Sequence, residues 1–261
     1  MEFLKQYSPD AASMMKCYRI INRKVYFSLR VLDMYAYRLK CIQNYNSTKS
    51  RSEKRQKINF SSADRNKTAI LEVLENFFDK SIEGKVLEIS SGTGQHSAYF
   101  APHFPKLTFY TSEYEESLMD SIRAYAADTP TKNVKEPVLI NVIDDWTKWN
   151  VPNDFDYAIN INMIHVTPFP CSIGLFKNVS SILKIGGLLI TYGAYANNGV
   201  LEPESNRDFD RSIRKRDPNC GVRDIQDLIK VSETYGISLK HIQEMPANNK
   251  CIIWQKTNVF K

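Results

Sequence analysis

Between residues 69 and 78 apolar side chains fall at Ile70, Val73, Leu74 and Phe77, the spacing of one helix face, whereas residues 85–89 form the short apolar run of a buried strand. The two periods keep alternating. Residues 95–104 and 116–127 read as helices, and residues 107–110, 137–143, 157–161 and 188–192 as strands. Residues 175–184 read as a helix stopped by Gly186 and Gly187. A further helix is expected near residues 225–235, then strands at 238–244 and 251–255 joined through Pro246, Ala247, Asn248 and Asn249. Helices interleaved with short strands predict a doubly wound α/β fold. Its sheet is expected to be mostly parallel, seven-stranded and Rossmann-like, with the C-terminal hairpin as an antiparallel edge.

The sharpest local signal is Val86-Leu87-Glu88-Ile89-Ser90-Ser91-Gly92-Thr93-Gly94-Gln95-His96, a strand running into a glycine turn and a helix. Gly92 and Gly94 allow a ligand to approach the backbone, with a helix N-terminus just behind. Two carboxylates sharpen this into a cofactor site. Glu88, inside the strand, is costly to bury unless a cation or donors satisfy it. Glu113 follows the turn by about 20 residues, where a carboxylate can accept both hydroxyls of an adenosine ribose. A pyrophosphate would be repelled by Glu88, while a sulfonium and an ammonium would be attracted, so the expected cofactor is S-adenosylmethionine. Ser90, in the turn, belongs to the expected cradle. Further along the carboxyl ends of the strands, Asn141 and Val142 are placed at the adenine, with Asp144 and Asp145 as alternatives, and Asn162 near the reactive end of the cofactor.

Five short segments then resemble the methyltransferase-like 26 family. They are Ala63-Asp64-Arg65-Asn66-Lys67, the glycine turn from Leu87 to His96, Asn162-Met163-Ile164-His165-Val166-Thr167-Pro168, Ser205-Asn206-Arg207-Asp208-Phe209-Asp210, and Met245-Pro246-Ala247-Asn248-Asn249. The likeness spans residues 60–256 and implies a class I methyltransferase fold with cofactor binding at the positions named above. It also singles out polar residues for an acceptor pocket: Arg65 and Asn66, together with Asn206, Arg223, Asn248 and Asn249, which are expected in loops. Asp224 could equally cap the helix after it, and Asn248-Asn249 could simply make the hairpin turn. Asn141 departs from the family, which has aspartate there.

Methyl transfer to some acceptors needs a base, and His165, just past the fourth strand, is the leading candidate, with Asp210 second. Tyr195, after the next strand, is a candidate wall of the acceptor pocket. No metal site is expected, since the four histidines are isolated and no paired-cysteine or HExxH pattern occurs.

Charge changes the picture mainly at one end. Of the net +6, residues 1–57 carry about +9 (13 Lys and Arg against 4 Asp and Glu) and the remainder about −3 (22 against 25). The chain therefore divides into a basic extension, 1–57, and a methyltransferase domain, 58–261. Within the extension Val25, Leu29, Leu32, Ala36 and Leu39 share one helix face, which reads as a packing helix or loose extension, or as a targeting or membrane-surface segment. The acidic domain lacks the basic footprint of a nucleic-acid enzyme, and no Asp-Pro-Pro-Tyr-type tetrapeptide occurs. The expected partner is a small-molecule acceptor, in a cytoplasmic, reducing setting. Competing readings are a non-catalytic cofactor-binding subunit, a protein or RNA methyltransferase docking through residues 1–57, and a nicotinamide-dependent reductase.

Overall fold

A computed structural model describes residues 56–257; the expected basic helix of the extension lies outside the described residues. The strands are β1 (Gly84–Ile89), β2 (Leu107–Glu113), β3 (Val138–Leu139), β4 (Phe155–Ile161), β5 (Leu183–Gly193), β6 (Tyr195–Ala196), β7 (Arg223–Asp224), β8 (Ile237–Met245) and β9 (Asn249–Lys256). The helices are α1 (Ser61–Phe77), α2 (Gln95–Phe100), α3 (Met119–Asp128), α4 (Met163–Val166), α5 (Phe169–Ile182), α6 (Glu204–Arg216) and α7 (Ile225–Thr234). Seven strands form one sheet in the order β3-β2-β1-β4-β5-β9-β8, parallel except for the antiparallel β5–β9 and β9–β8 pairs. The short β6–β7 pair stands apart as a second, parallel ladder.

Successive strand residues point to opposite faces, so the apolar strand runs fill two cores at once. Leu87, Ile89, Leu189 and Ile252 pack with Phe176 and Leu175 of α5, while Val86, Ile159, Ile190 and Ile253 pack with Ile70 and Leu74 of α1. Each fully buried aliphatic side chain contributes about 1.5–3 kcal/mol, which is why strands buried on both faces are continuous apolar runs rather than alternating ones.

Several sequence expectations need correction. The third strand shrinks to Val138–Leu139, so Asn141 and Val142 follow the strand rather than close it. Helix α5 ends at Ile182, and Gly186 and Gly187 lie inside β5 instead of stopping the helix. There the β4–β5 register jumps from Phe155↔Leu183 to Tyr157↔Leu188. A side chain at Gly187 would meet the Lys184 and Asp156 carbonyls at 2.9 and 3.0 Å, so the glycine serves a tight bend within the strand. Residues 205–210, expected in a loop, lie on the 13-residue helix α6.

The loop after β3 is held by one side chain of α5. Asn178 Nδ2 donates to the Val142 and Asp144 carbonyls, both at 2.9 Å, and its Oδ1 accepts from the Trp146 amide at 3.1 Å. Removing all three bonds in Asn178→Ala is expected to cost about 2 kcal/mol, read as a lower urea midpoint at unchanged slope. An unchanged midpoint would mean that the loop anchors itself without Asn178.

Candidate functional site

The carboxyl ends of β1, β2, β4 and β5 converge on the glycine turn. Ser90 and Gly92 both adopt left-handed backbone (φ 61° and 58°), and nothing lies within 4 Å of where a side chain on Gly92 would sit. The turn therefore faces open space. Glu113, at the end of β2, reaches back across it: Oε2 accepts from the Gly92 amide at 2.7 Å, and Oε1 accepts from the Tyr114 and Glu115 amides at 2.9 and 3.2 Å. Tyr114 itself is exposed beside this carboxylate.

Glu88 is buried behind the turn. Ser97 Oγ donates to its Oε2 at 2.5 Å, and the ionic partner nearest to hand is His96 Nδ1, 4.0 Å from Oε1. Burial pushes the Glu88 pKa up to about 7, against the opposing pull of the Ser97 and Ser91 hydroxyls. His96 supplies no counter-charge, because burial lowers its own pKa to about 4. Its Nε2 lies 2.8 Å from Asn66 Oδ1, which ties α2 to α1. Asn160, whose Nδ2 donates to the Ile89 carbonyl at 3.0 Å, leaves its buried Oδ1 without a partner. His96 and Asn160 were not among the sequence candidates. An interior position for His96 needed the packing of α1 on α2, and Asn160 sits between Ile159 and Ile161 in a buried strand end.

On the other side of β4 the chain leaves the strand through Asn162, in left-handed backbone, whose amide donates to the Tyr192 carbonyl at 2.9 Å. His165 follows on α4. Its imidazole is 4% exposed, lies edge-on to Phe209 of α6 (centroids 5.1 Å apart), and packs on Gly193, where a side chain would come within 3.0 Å of Nδ1. Burial first, and the charge of Arg223 second, lower its pKa to about 4. Neither ring nitrogen has a hydrogen-bond partner among the described residues. Asp210 is occupied: Oδ1 accepts from the Val222 amide at 2.7 Å and Oδ2 from Arg214 Nε at 2.8 Å.

The remaining candidates fall into distinct settings. Asn206 is buried, donating to the Glu202 and Asn248 carbonyls at 3.0 and 3.1 Å, so it ties α6 to the β8–β9 connection. Asn248 is exposed with left-handed backbone, and Asn249 Nδ2 bonds the Pro246 and Ala247 carbonyls, as a hairpin turn requires. Arg65 is exposed and donates to Ser61 Oγ. Tyr195 is buried in the apolar core beneath β5. Asn141 Oδ1 accepts from the Ile143 amide at 3.3 Å, Val142 is buried, and Asp145 caps a 3₁₀ turn through the Thr147 amide. Asp224 caps α7 through the Gln226 amide at 2.8 Å. No cluster of three or more His, Cys, Asp or Glu suited to a metal occurs among the described residues.

A family model described as a protein of unknown function, DUF938, matches residues 57–256, more than three quarters of the chain. The chain belongs to the DUF938 family. The fold of this DUF938 protein is that of methyltransferases. It is similar to an O-methyltransferase family protein from Burkholderia thailandensis, with 14% identity and a TM-score of 0.65 over 76% of this chain and 58% of that one. It is also similar to the mitomycin 7-O-methyltransferase (12% identity, TM-score 0.63, 76% of this chain and 56% of that one). A third likeness is to human N-acetylserotonin methyltransferase in complex with SAM (13% identity, TM-score 0.58, 76% and 53%). The DUF938 chain thus spans just over half the length of each. No helix among the described residues is long and apolar enough to cross a membrane.

Proposed function

We propose that this protein is an S-adenosylmethionine-dependent methyltransferase of the methyltransferase-like 26 group, acting on a small-molecule acceptor in the cytoplasm through residues 58–261. The observation that carries the reading is the pairing of an open glycine turn with buried acceptors that have no cation of their own. Among the described residues no lysine or arginine lies beside the buried Glu88, and the buried Asn160 Oδ1 has no donor. That donor set fits a ligand bringing an ammonium and a sulfonium, and it would repel a pyrophosphate. Similarity in fold to methyltransferases, one of them in complex with SAM, supports the same assignment.

On this reading Glu88 and Asn160 hold the amino-acid end of the cofactor, Gly92 admits it to the backbone, and Glu113 takes the ribose hydroxyls. Ser90 frames the turn, Asn141 and Val142 lie on the adenine side, and Asn162 lies on the side of the reacting group. When bound, the cofactor supplies an activated methyl group, so the protein's task is chiefly to orient the acceptor and exclude water. Neutral at pH 7, His165 is able to take the acceptor's proton on its imidazole. Asp210 is the second candidate base, its oxygens holding the Val222 amide and Arg214.

Calorimetric titration of the parent chain and Glu113→Ala with S-adenosylmethionine tests the assignment. Micromolar binding is expected, about −8 kcal/mol, weakened at least about tenfold in the variant through loss of the ribose contacts. Absence of binding to the parent would overturn the reading.

A further inference from the structure

Behind His165, the segment Gly221-Val222-Arg223 brings two guanidinium groups to one place. Gly221 donates its amide to the His165 carbonyl at 2.9 Å, and a side chain there would meet Arg214 Cζ at 2.4 Å, so the first guanidinium lies on the bare glycine. Arg214 is neutralised by Asp210, which also accepts from the Val222 amide. Arg223 has no such counter-ion among the described residues. Its Nη2 donates to the Thr167 and Asn219 carbonyls at 2.8 and 2.7 Å, and its Cζ stands 5.5 Å from the Phe169 ring centroid. Nε is buried without a partner.

The neighbouring carboxylates are committed elsewhere. Asp217 accepts from the amide and side chain of Asn219, and Asp224 accepts from the Gly199 and Gln226 amides. Helix α5 also begins at Phe169, beside the guanidinium, with no side-chain cap, and its positive end adds to the same potential. A half-buried guanidinium with unspent donors on Nη1 and no anion among the described residues is unfavourable, and a carboxylate supplies both the charge and the acceptor it lacks.

We propose that Arg223 is the anion-binding residue of the acceptor site, so that the methyl acceptor carries a carboxylate. This rests on the methyltransferase reading above and names the class of its substrate. Held at Arg223, the acceptor's carboxylate offsets the Arg223 charge, which is second to burial in lowering the basicity of His165. Phe209, partly exposed and edge-on to His165, offers an apolar surface to the rest of the molecule.

The full chain should be titrated by calorimetry with carboxylates and their amides in matched pairs (benzoate and benzamide, phenylacetate and phenylacetamide, butyrate and butyramide), with inorganic phosphate as a separate arm. At least one carboxylate is expected to bind about tenfold tighter than its amide. Arg223→Gln should erase that preference, while Arg223→Lys, which keeps the charge but loses the bonds to the Thr167 and Asn219 carbonyls that hold it in place, should retain part of it. A parent protein without carboxylate preference overturns the proposal, as does a preference that survives in folded Arg223→Gln or is undiminished in Arg223→Lys. Tighter binding of phosphate than of any carboxylate also overturns it. S-adenosylmethionine titrated into the same samples separates the two claims: carboxylate preference without cofactor binding would sink the methyltransferase reading and leave the anion site standing.

Discussion

At pH 8 the Glu88→Gln protein is expected to be more stable than its parent by about 3 kcal/mol, although a buried hydrogen-bonded carboxylate has been altered. The sign follows from linkage. Burial raises the folded-state pKa of Glu88 from 4.5 to about 7, so between those values the folded chain holds a proton that the unfolded chain has released, and stability falls as pH rises through that window. Each unit of difference is worth about 1.4 kcal/mol. Glutamine keeps an acceptor for Ser97 and carries no charge at any pH. Its advantage should be absent at pH 4, grow between 4.5 and 7, and level off above. In a domain of this size it corresponds to a melting temperature roughly 5–10 °C higher at pH 8. The variant should also bind S-adenosylmethionine more weakly, since the neutral amide no longer attracts a cation. A Glu88→Gln protein less stable than its parent at pH 8 would mean that a cation compensates the carboxylate in the ligand-free state.

The two glycines of the turn are expected to separate scaffold from site. Gly94 has φ +91°, and a side chain there would meet the Ile122 Cα at 2.8 Å, backbone that cannot rotate away. Gly94→Ala should therefore cost about 3–4 kcal/mol, combining left-handed strain with displacement of α3 from the turn. Gly92 has φ +58° but open space around it, so Gly92→Ala should cost only about 1 kcal/mol and still place a methyl group where the ligand enters. Urea unfolding reports the first effect and cofactor titration the second. Undiminished affinity in Gly92→Ala would show that the open face of the turn is not where the cofactor lies.

Much of the geometry around the glycine turn was legible in the sequence because it is local. One strand, one turn and the end of the next strand place Glu88, Gly92 and Glu113, and parallel pairing of β1 with β2 puts Glu88 opposite Thr111, two residues before Glu113. The proposed acceptor side was less legible. Helix α6 buries only Asn206 and Ile213, so it has no apolar stripe to reveal it. Gly186 and Gly187 resembled a helix stop because the same residues suit a C-cap and a sharp bend in a strand. His96 and Asn160 look ordinary in sequence, and their significance comes from burial that only distant segments provide. Arg223 was singled out by resemblance, but its want of a counter-ion depends on where Asp210, Asp217 and Asp224 spend their oxygens.

Because β4 sits at the centre of the sheet, it links both halves of the proposed site: Asn160 bonds the Ile89 carbonyl just before the glycine turn, and the chain leaving the strand carries His165 to the α6 side. In the proposed site the cofactor cradle is drawn from residues 84–113 and the acceptor-binding residues from 195–224, a segment that Asn206 fastens to the β8–β9 connection. Such a division makes that segment an exchangeable module. Grafting residues 195–224 between DUF938 chains, with Asn206 and its partner carbonyl kept, should transplant acceptor preference while cofactor affinity stays with the recipient.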